Sequence, residues 1–135
     1  MAEQLSVMRA LALLPLVALV SCASTVQSDS ADRAKLDTEL AARTAGKPQT
    51  CIRLDEAVGT QAYRDVLVYR PGRRVTYVNA APGCTGNDTD PIFVNEVHGS
   101  QLCRGDVIRT VSRTGGFQTG FCILGDFTPY RAAPR

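Results

Sequence analysis

The chain has no tryptophan and one histidine, His98, and only 6% of its residues are aromatic. A single imidazole without clustered partners cannot assemble a multi-histidine metal site. Its 15 basic and 13 acidic residues leave a formal charge of +2. No basic stretch is interleaved with aromatics, which argues against nucleic acid as a partner. No apolar run reaches the roughly 20 residues that a bilayer-spanning helix needs. The longest, Ala10–Val20, is shorter and carries Pro15. There is no C-x-x-C pair of the kind that builds a zinc knuckle. A G-x-S-x-G elbow, an H-E-x-x-H pair and a phosphate-cradling glycine loop are missing as well. Acidic residues are scattered, so no glycosidase-type pair stands out. On these grounds no catalytic residue, cofactor or metal site is nominated.

What is present begins at the N-terminus. Arg9, the apolar run and the small residue Ser21 follow in the order of an export signal. Leu19-Val20-Ser21-Cys22 looks like a bacterial lipobox. That resemblance implies that residues 1–21 are removed and that Cys22 becomes an acylated first residue. An ordinary cleaved signal, with Cys22 as a spare thiol, is the plainer alternative. Met1 and Met8 both stand as starts, and Met8-Arg9 gives the cleaner signal because it leaves out Glu3. Each buried methylene contributes about 0.8 kcal/mol, so two or three acyl chains hold where one is marginal. Ala23 is not the aspartate that signals inner-membrane retention in such lipoproteins. The expected location is therefore the cell envelope, at an outer membrane facing the periplasm in a cell that has one.

Five cysteines are an odd number, and acylation of Cys22 leaves Cys51, Cys84, Cys103 and Cys122. An oxidising compartment lets these pair, and a small domain benefits from the covalent help. Four cysteines allow three connectivities. The expected pairing is Cys51–Cys122, tying an opening strand to a closing one, and Cys84–Cys103, closing a polar loop. Each bridge contributes on the order of 2–4 kcal/mol.

The remaining chain is long enough for one domain. Ser24–Ser30 reads as a flexible tether, and Asp32–Ala45 has helix-forming composition, with Leu36 and Leu40 one turn apart. Gly46 and Pro48 stop it. Residues 22–49 are thus read as lipidated N-terminus, tether and short helix, and residues 50–135 as the folded domain. There the pattern turns to strands. Cys51–Val58 alternates, and Val66–Arg70 and Arg74–Asn79 form a hairpin across Pro71-Gly72, whose proline and glycine suit the turn torsions. Ala80–Asp90 is a loop rich in turn residues. Ile92–Val97 alternates again, and Asp106–Arg113 with Phe117–Leu124 makes a second hairpin across Thr114-Gly115-Gly116. The expected fold is all-β: a small barrel-like or sandwich domain of five to six antiparallel strands, with a short N-terminal helix and two disulfides.

Several residues invite chemistry. Glu96 and His98, two apart on a strand, would face the same way and could form an acid–base pair; a surface strand end is the simpler reading. Asn87, Asp88 and Asp90 gather oxygen ligands, but without the spacing of a calcium loop. Asn87-Asp88-Thr89 matches a glycosylation sequon, discounted in a bacterial lipoprotein. Arg104-Gly105-Asp106 spells an adhesion tripeptide and reads as a turn into the next strand. Arg70, Arg73 and Arg74 surround the first hairpin turn and are the candidate anion-binding set, since guanidinium forks hold phosphates in pairs. A solvated tip that discourages edge pairing is the competing account.

The residues from Cys51 onward, namely Cys51-Ile52-x-Leu54, Tyr77-Val78-Asn79, Cys84-x-Gly86, Leu102-Cys103-x-x-Asp106-x-Ile108 and Cys122-x-Leu124-Gly125-x-Phe127, form a set. As a set they resemble a family of small bacterial lipoproteins of unknown function with four cysteines in the mature domain. The resemblance implies an exported, disulfide-containing domain and brings no catalytic residues. The expected role is a non-catalytic binding or scaffolding module, held to a membrane by its lipid and meeting an envelope protein or an anionic envelope polymer. The alternatives are an inhibitor of a cell-wall hydrolase acting through Ala80–Asp90, and an enzyme using His98.

Overall fold

The computed structural model describes residues 23–84 and 90–134, with the backbone alone for Ala23–Asp29 and Asp32. Residues 1–22, among them Cys22 and the segment read as an export signal, and residues 85–89, among them Asn87 and Asp88, lie outside the described residues.

Ala23–Ala41 forms the helix α1, followed among the described residues by ten strands. These are β1 (Arg43–Ala45), β2 (Cys51–Arg53), β3 (Gln61–Tyr63), β4 (Val66–Tyr69) and β5 (Val75–Ala80). They continue with β6 (Pro91–Glu96), β7 (Gln101–Cys103), β8 (Val107–Ser112), β9 (Gln118–Ile123) and β10 (Phe127–Ala132). Three antiparallel sheets result: a five-stranded sheet in the order β1-β10-β5-β4-β3, a β2-β7 ribbon, and a three-stranded sheet β6-β8-β9. The described residues are all-β apart from α1, as expected. The strands are more numerous than expected, and the sheets remain open-edged, not closed into a barrel.

The helix differs from expectation at both ends. It starts at Ala23, so Ser24–Ser30 is helical backbone and not an extended tether. Once a helix is nucleated each further residue costs little, and residues 23–41 contain no glycine or proline to stop it. It ends at Ala41 because Arg43–Ala45 pairs with β10, from Arg43 opposite Ala132 to Ala45 opposite Tyr130. Sheet hydrogen bonds there replace another helical turn. Leu36 is the helix's buried anchor.

Both hairpins form. β8 and β9 pair across the glycine turn, with Gly116 at φ 68° donating to the Ser112 carbonyl at 2.9 Å. β4 and β5 pair from Tyr69 opposite Tyr77 to Val66 opposite Ala80. Their connection is wider than a Pro-Gly turn, running through Arg70–Arg74, and Gly72 does not adopt a positive φ. The strand expected over Cys51–Val58 stops at Arg53. Asp55 and Glu56 end it by drawing the Arg53 guanidinium (2.9 Å) and backbone N–H (3.3 Å) into a turn, which leaves Val58 exposed.

One core joins all three sheets. The five-stranded sheet contributes Leu67, Tyr69, Tyr77 and Phe127, the ribbon Ile52 and Leu102, and the three-stranded sheet Ile108 and Cys122, with Leu124 just beyond β9. Tyr69 and Phe127 meet as tilted rings 5.8 Å apart. Buried Asn79 on β5 clasps Gly125: its Nδ2 donates to the Gly125 carbonyl (2.8 Å) and its Oδ1 accepts from the Gly125 N–H (2.9 Å). A side chain at Gly125 would collide with the Ala80 carbonyl, 2.9 Å from where a Cβ would sit. That clasp is the physical reason for an asparagine and a glycine at these two places.

The disulfides are Cys51–Cys103 and Cys84–Cys122, which corrects the expected pairing. β2 pairs with β7, not with the closing strand, and puts Cys51 directly opposite Cys103, with Cα atoms 4.0 Å apart. Cys84 and Cys122 lie buried with Cα atoms 4.8 Å apart.

Candidate functional site: an arginine-lined cleft

The β4–β5 connection ends at the outer margin of the five-stranded sheet, where three arginines surround a cleft. Antiparallel register sets Arg131 of β10 opposite Val75, and the Ala132 N–H donates to the Arg74 carbonyl at 2.9 Å. The tip is therefore pinned to β10. On its other side the Arg43 Nη1 donates to the Arg73 carbonyl at 3.4 Å. Arg73, Arg74, Arg131, Ala132, Ala133 and Pro134 line an open cleft of about 700 Å³. Among the described residues its lining holds three guanidinium groups and no carboxylate. Among the described residues no carboxylate lies within ion-pair distance of Arg73, Arg74 or Arg131.

Arg70, grouped with Arg73 and Arg74 on sequence grounds, does not line this cleft. Its Nη2 and Nε donate to Glu39 of α1 at 2.8 and 3.2 Å, Nη2 also reaches the Tyr63 hydroxyl at 3.0 Å, and Nη1 reaches Gln61 at 3.2 Å. The guanidinium lies 5.8 Å from the Tyr63 ring centre. Those hydrogen bonds hold the Glu39 carboxyl below its ordinary range, although partial burial pulls the other way. The same bonds push the Arg70 guanidinium up, against a lesser effect of burial. A fork already bound to a carboxylate cannot grip an external phosphate with the same donors. Arg70 docks the helix.

Other candidate residues are equally committed. Glu96 forms an ion pair with Arg109 at 2.6 Å, while His98 is exposed in a bend beyond the end of β6. The structure does not bring them into an acid–base pair. Asp90 accepts from Arg113 at 2.8 Å. Asp106 accepts from the Cys103 N–H at 2.7 Å, Gly105 takes φ 92°, and Arg104 pairs with Asp126 at 3.2 Å. The Arg-Gly-Asp tripeptide is thus a turn whose two charged side chains are both engaged. Among the described residues no group of three or more His, Cys, Asp or Glu side chains is close enough to hold a metal ion.

Arg131 is the site residue that sequence reasoning missed. It lies far along the chain from Arg73 and Arg74, and only the β5–β10 register brings them together. No local pattern announces that register. No family model, no curated protein and no solved structure matches the chain.

Proposed function

We propose that the chain is a non-catalytic binding module, tethered to the bacterial envelope through acylated Cys22, that holds an anionic envelope component in the arginine cleft. The observation that carries this reading is the contrast among its arginines. Arg53, Arg70, Arg104, Arg109 and Arg113 each bond a carboxylate, whereas Arg73, Arg74 and Arg131 share one cleft without any such bond among the described residues. Guanidinium groups left together cost mutual repulsion that an anionic ligand relieves. The β5–β10 pairing and the hydrogen bond from the Ala132 N–H to the Arg74 carbonyl hold the cleft margin in place, which lowers the ordering cost of binding. The lipobox-like segment supports the envelope setting, where acidic headgroups and phosphate-bearing polymers abound.

Calorimetric titration of the purified full chain with polyphosphate tests the reading. Binding should weaken with added salt, and Arg73→Glu together with Arg74→Glu should lower affinity by at least about tenfold. Unchanged affinity in that variant rules the cleft out. In cells, a clickable palmitate analogue should label the wild type and not Cys22→Ser.

A further inference from the structure

The three-stranded sheet carries apolar side chains on both faces. Its inner face supplies Ile108 and Cys122 to the core. On its outer face the register sets three rows: Ile92, Val111 and Gln118; Val94, Arg109 and Phe121; Glu96, Val107 and Ile123. Phe121 and Ile123 are 61% and 54% exposed, Val94 and Ile92 are 42% and 40% exposed, and Phe117 at the hairpin end is 63% exposed. A solvated antiparallel face ordinarily carries polar side chains. Single exposed apolar residues are normal, but a contiguous set on one face marks a contact.

We infer that this face packs against the same face of a second copy of the chain. The inference goes beyond the arginine cleft and does not rest on it. Charge chooses the occupant. The face carries one cation and one anion, Arg109 and Glu96, which already neutralise each other. A twofold rotation presents each Arg109 to the Glu96 of the second copy while the apolar rows meet, so the surface complements itself. An anionic lipid surface would instead be drawn by unpaired cations at the rim. The flanking cation Arg113 is held by Asp90 at 2.8 Å. Two sheets stacked face to face form an ordinary protein layer.

Area sets the strength. Burying a phenylalanine removes about 150–250 Å² from water, so two well-exposed phenylalanines and three half-exposed aliphatics leave roughly 400–500 Å² uncovered. A symmetric pair would bury about 1,000 Å², the lower bound for a specific interface. The association is therefore weak, with a dissociation constant on the order of micromolar or above.

Sedimentation of the purified full chain in detergent should show a concentration-dependent dimer that Phe121→Lys abolishes. Arg109→Glu and Glu96→Arg should each weaken self-association by roughly tenfold when alone, while their equimolar mixture pairs, because only there do opposite charges meet across the interface. Since the chain lacks tryptophan, Phe121→Trp is a clean reporter whose emission should shift to the blue as protein concentration rises. A monomer at every concentration, a dimer indifferent to Phe121→Lys, or a mixture no better than its components overturns the inference. So does a reporter that shifts only when phosphatidylcholine vesicles are added, which would make lipid the occupant. Should Phe121→Lys fail to fold, the mixing experiment alone decides.

Discussion

The five-stranded sheet buries both of its faces, and the three-stranded sheet buries one. On the first, core residues Leu67, Tyr69 and Tyr77 fill the inner side, while Val68 and Thr76 on the other side are equally buried. Leu36 of α1 is buried and Glu39 reaches across to Thr76 (3.4 Å) and Arg70. Among the described residues no helix covers the second sheet, and its outer apolar rows are exposed. The same alternating sequence pattern therefore has two fates. What decides between them is whether a neighbouring segment brings both an apolar anchor and a carboxylate to meet an arginine.

The comparison can be broken most forcefully at Leu36. Leu36→Ala should cost about 2–5 kcal/mol in chemical denaturation by undocking the helix. Phe121→Ala, measured at a dilution where the chain is monomeric, should stay within about 0.5 kcal/mol. Equal losses would mean that the two faces do not differ as described.

A smaller effect sharpens it. Arg70 holds the Glu39 carboxyl below its ordinary value of 4.5. A carboxyl depressed in the folded state contributes stability that is fully present above its unfolded pKa and is lost as pH falls through its folded one. The stability advantage of the wild type over Glu39→Gln should therefore hold at neutral pH and shrink as pH drops below 4.5. An advantage that is constant from pH 7 to pH 3 would remove Glu39 from helix docking.

The smallest effect has the opposite sign. Tyr69 is fully buried, burial pushes its phenol far up, and its hydroxyl has no hydrogen-bond partner among the described residues. Tyr69→Phe removes that unsatisfied group and keeps the ring against Phe127. It should raise stability by about 1 kcal/mol or leave it unchanged, read as a thermal midpoint at or above that of the wild type. A clear drop would show that the hydroxyl is satisfied.

Much of this architecture is legible in the sequence. Alternation and turn residues located both hairpins, because strand periodicity and loop chemistry are local properties. Arg73 and Arg74 stood out for the same reason. The disulfide partners did not, because they depend on β2 lying beside β7, a choice made by packing. Arg70 looked equivalent to its neighbours in sequence, and only the docked helix sets it apart by supplying Glu39. The start of α1 was obscured by serines and threonines whose weak helix preference is overridden once a nucleus forms next to them.

The order of the half-cystines along the chain, 51, 84, 103 and 122, makes the two bridges interlace, the first with the third and the second with the fourth. Suppose that a protease clips the backbone twice, once between Cys51 and Cys84 and once between Cys103 and Cys122. The middle piece then holds one sulphur of each bridge, so all three pieces stay covalently joined. A nested arrangement would have released that piece. Interlacing thus makes the molecule tolerant of double nicking, and its N-terminal end stays linked to the arginine-bearing C-terminal strand until either cystine is reduced.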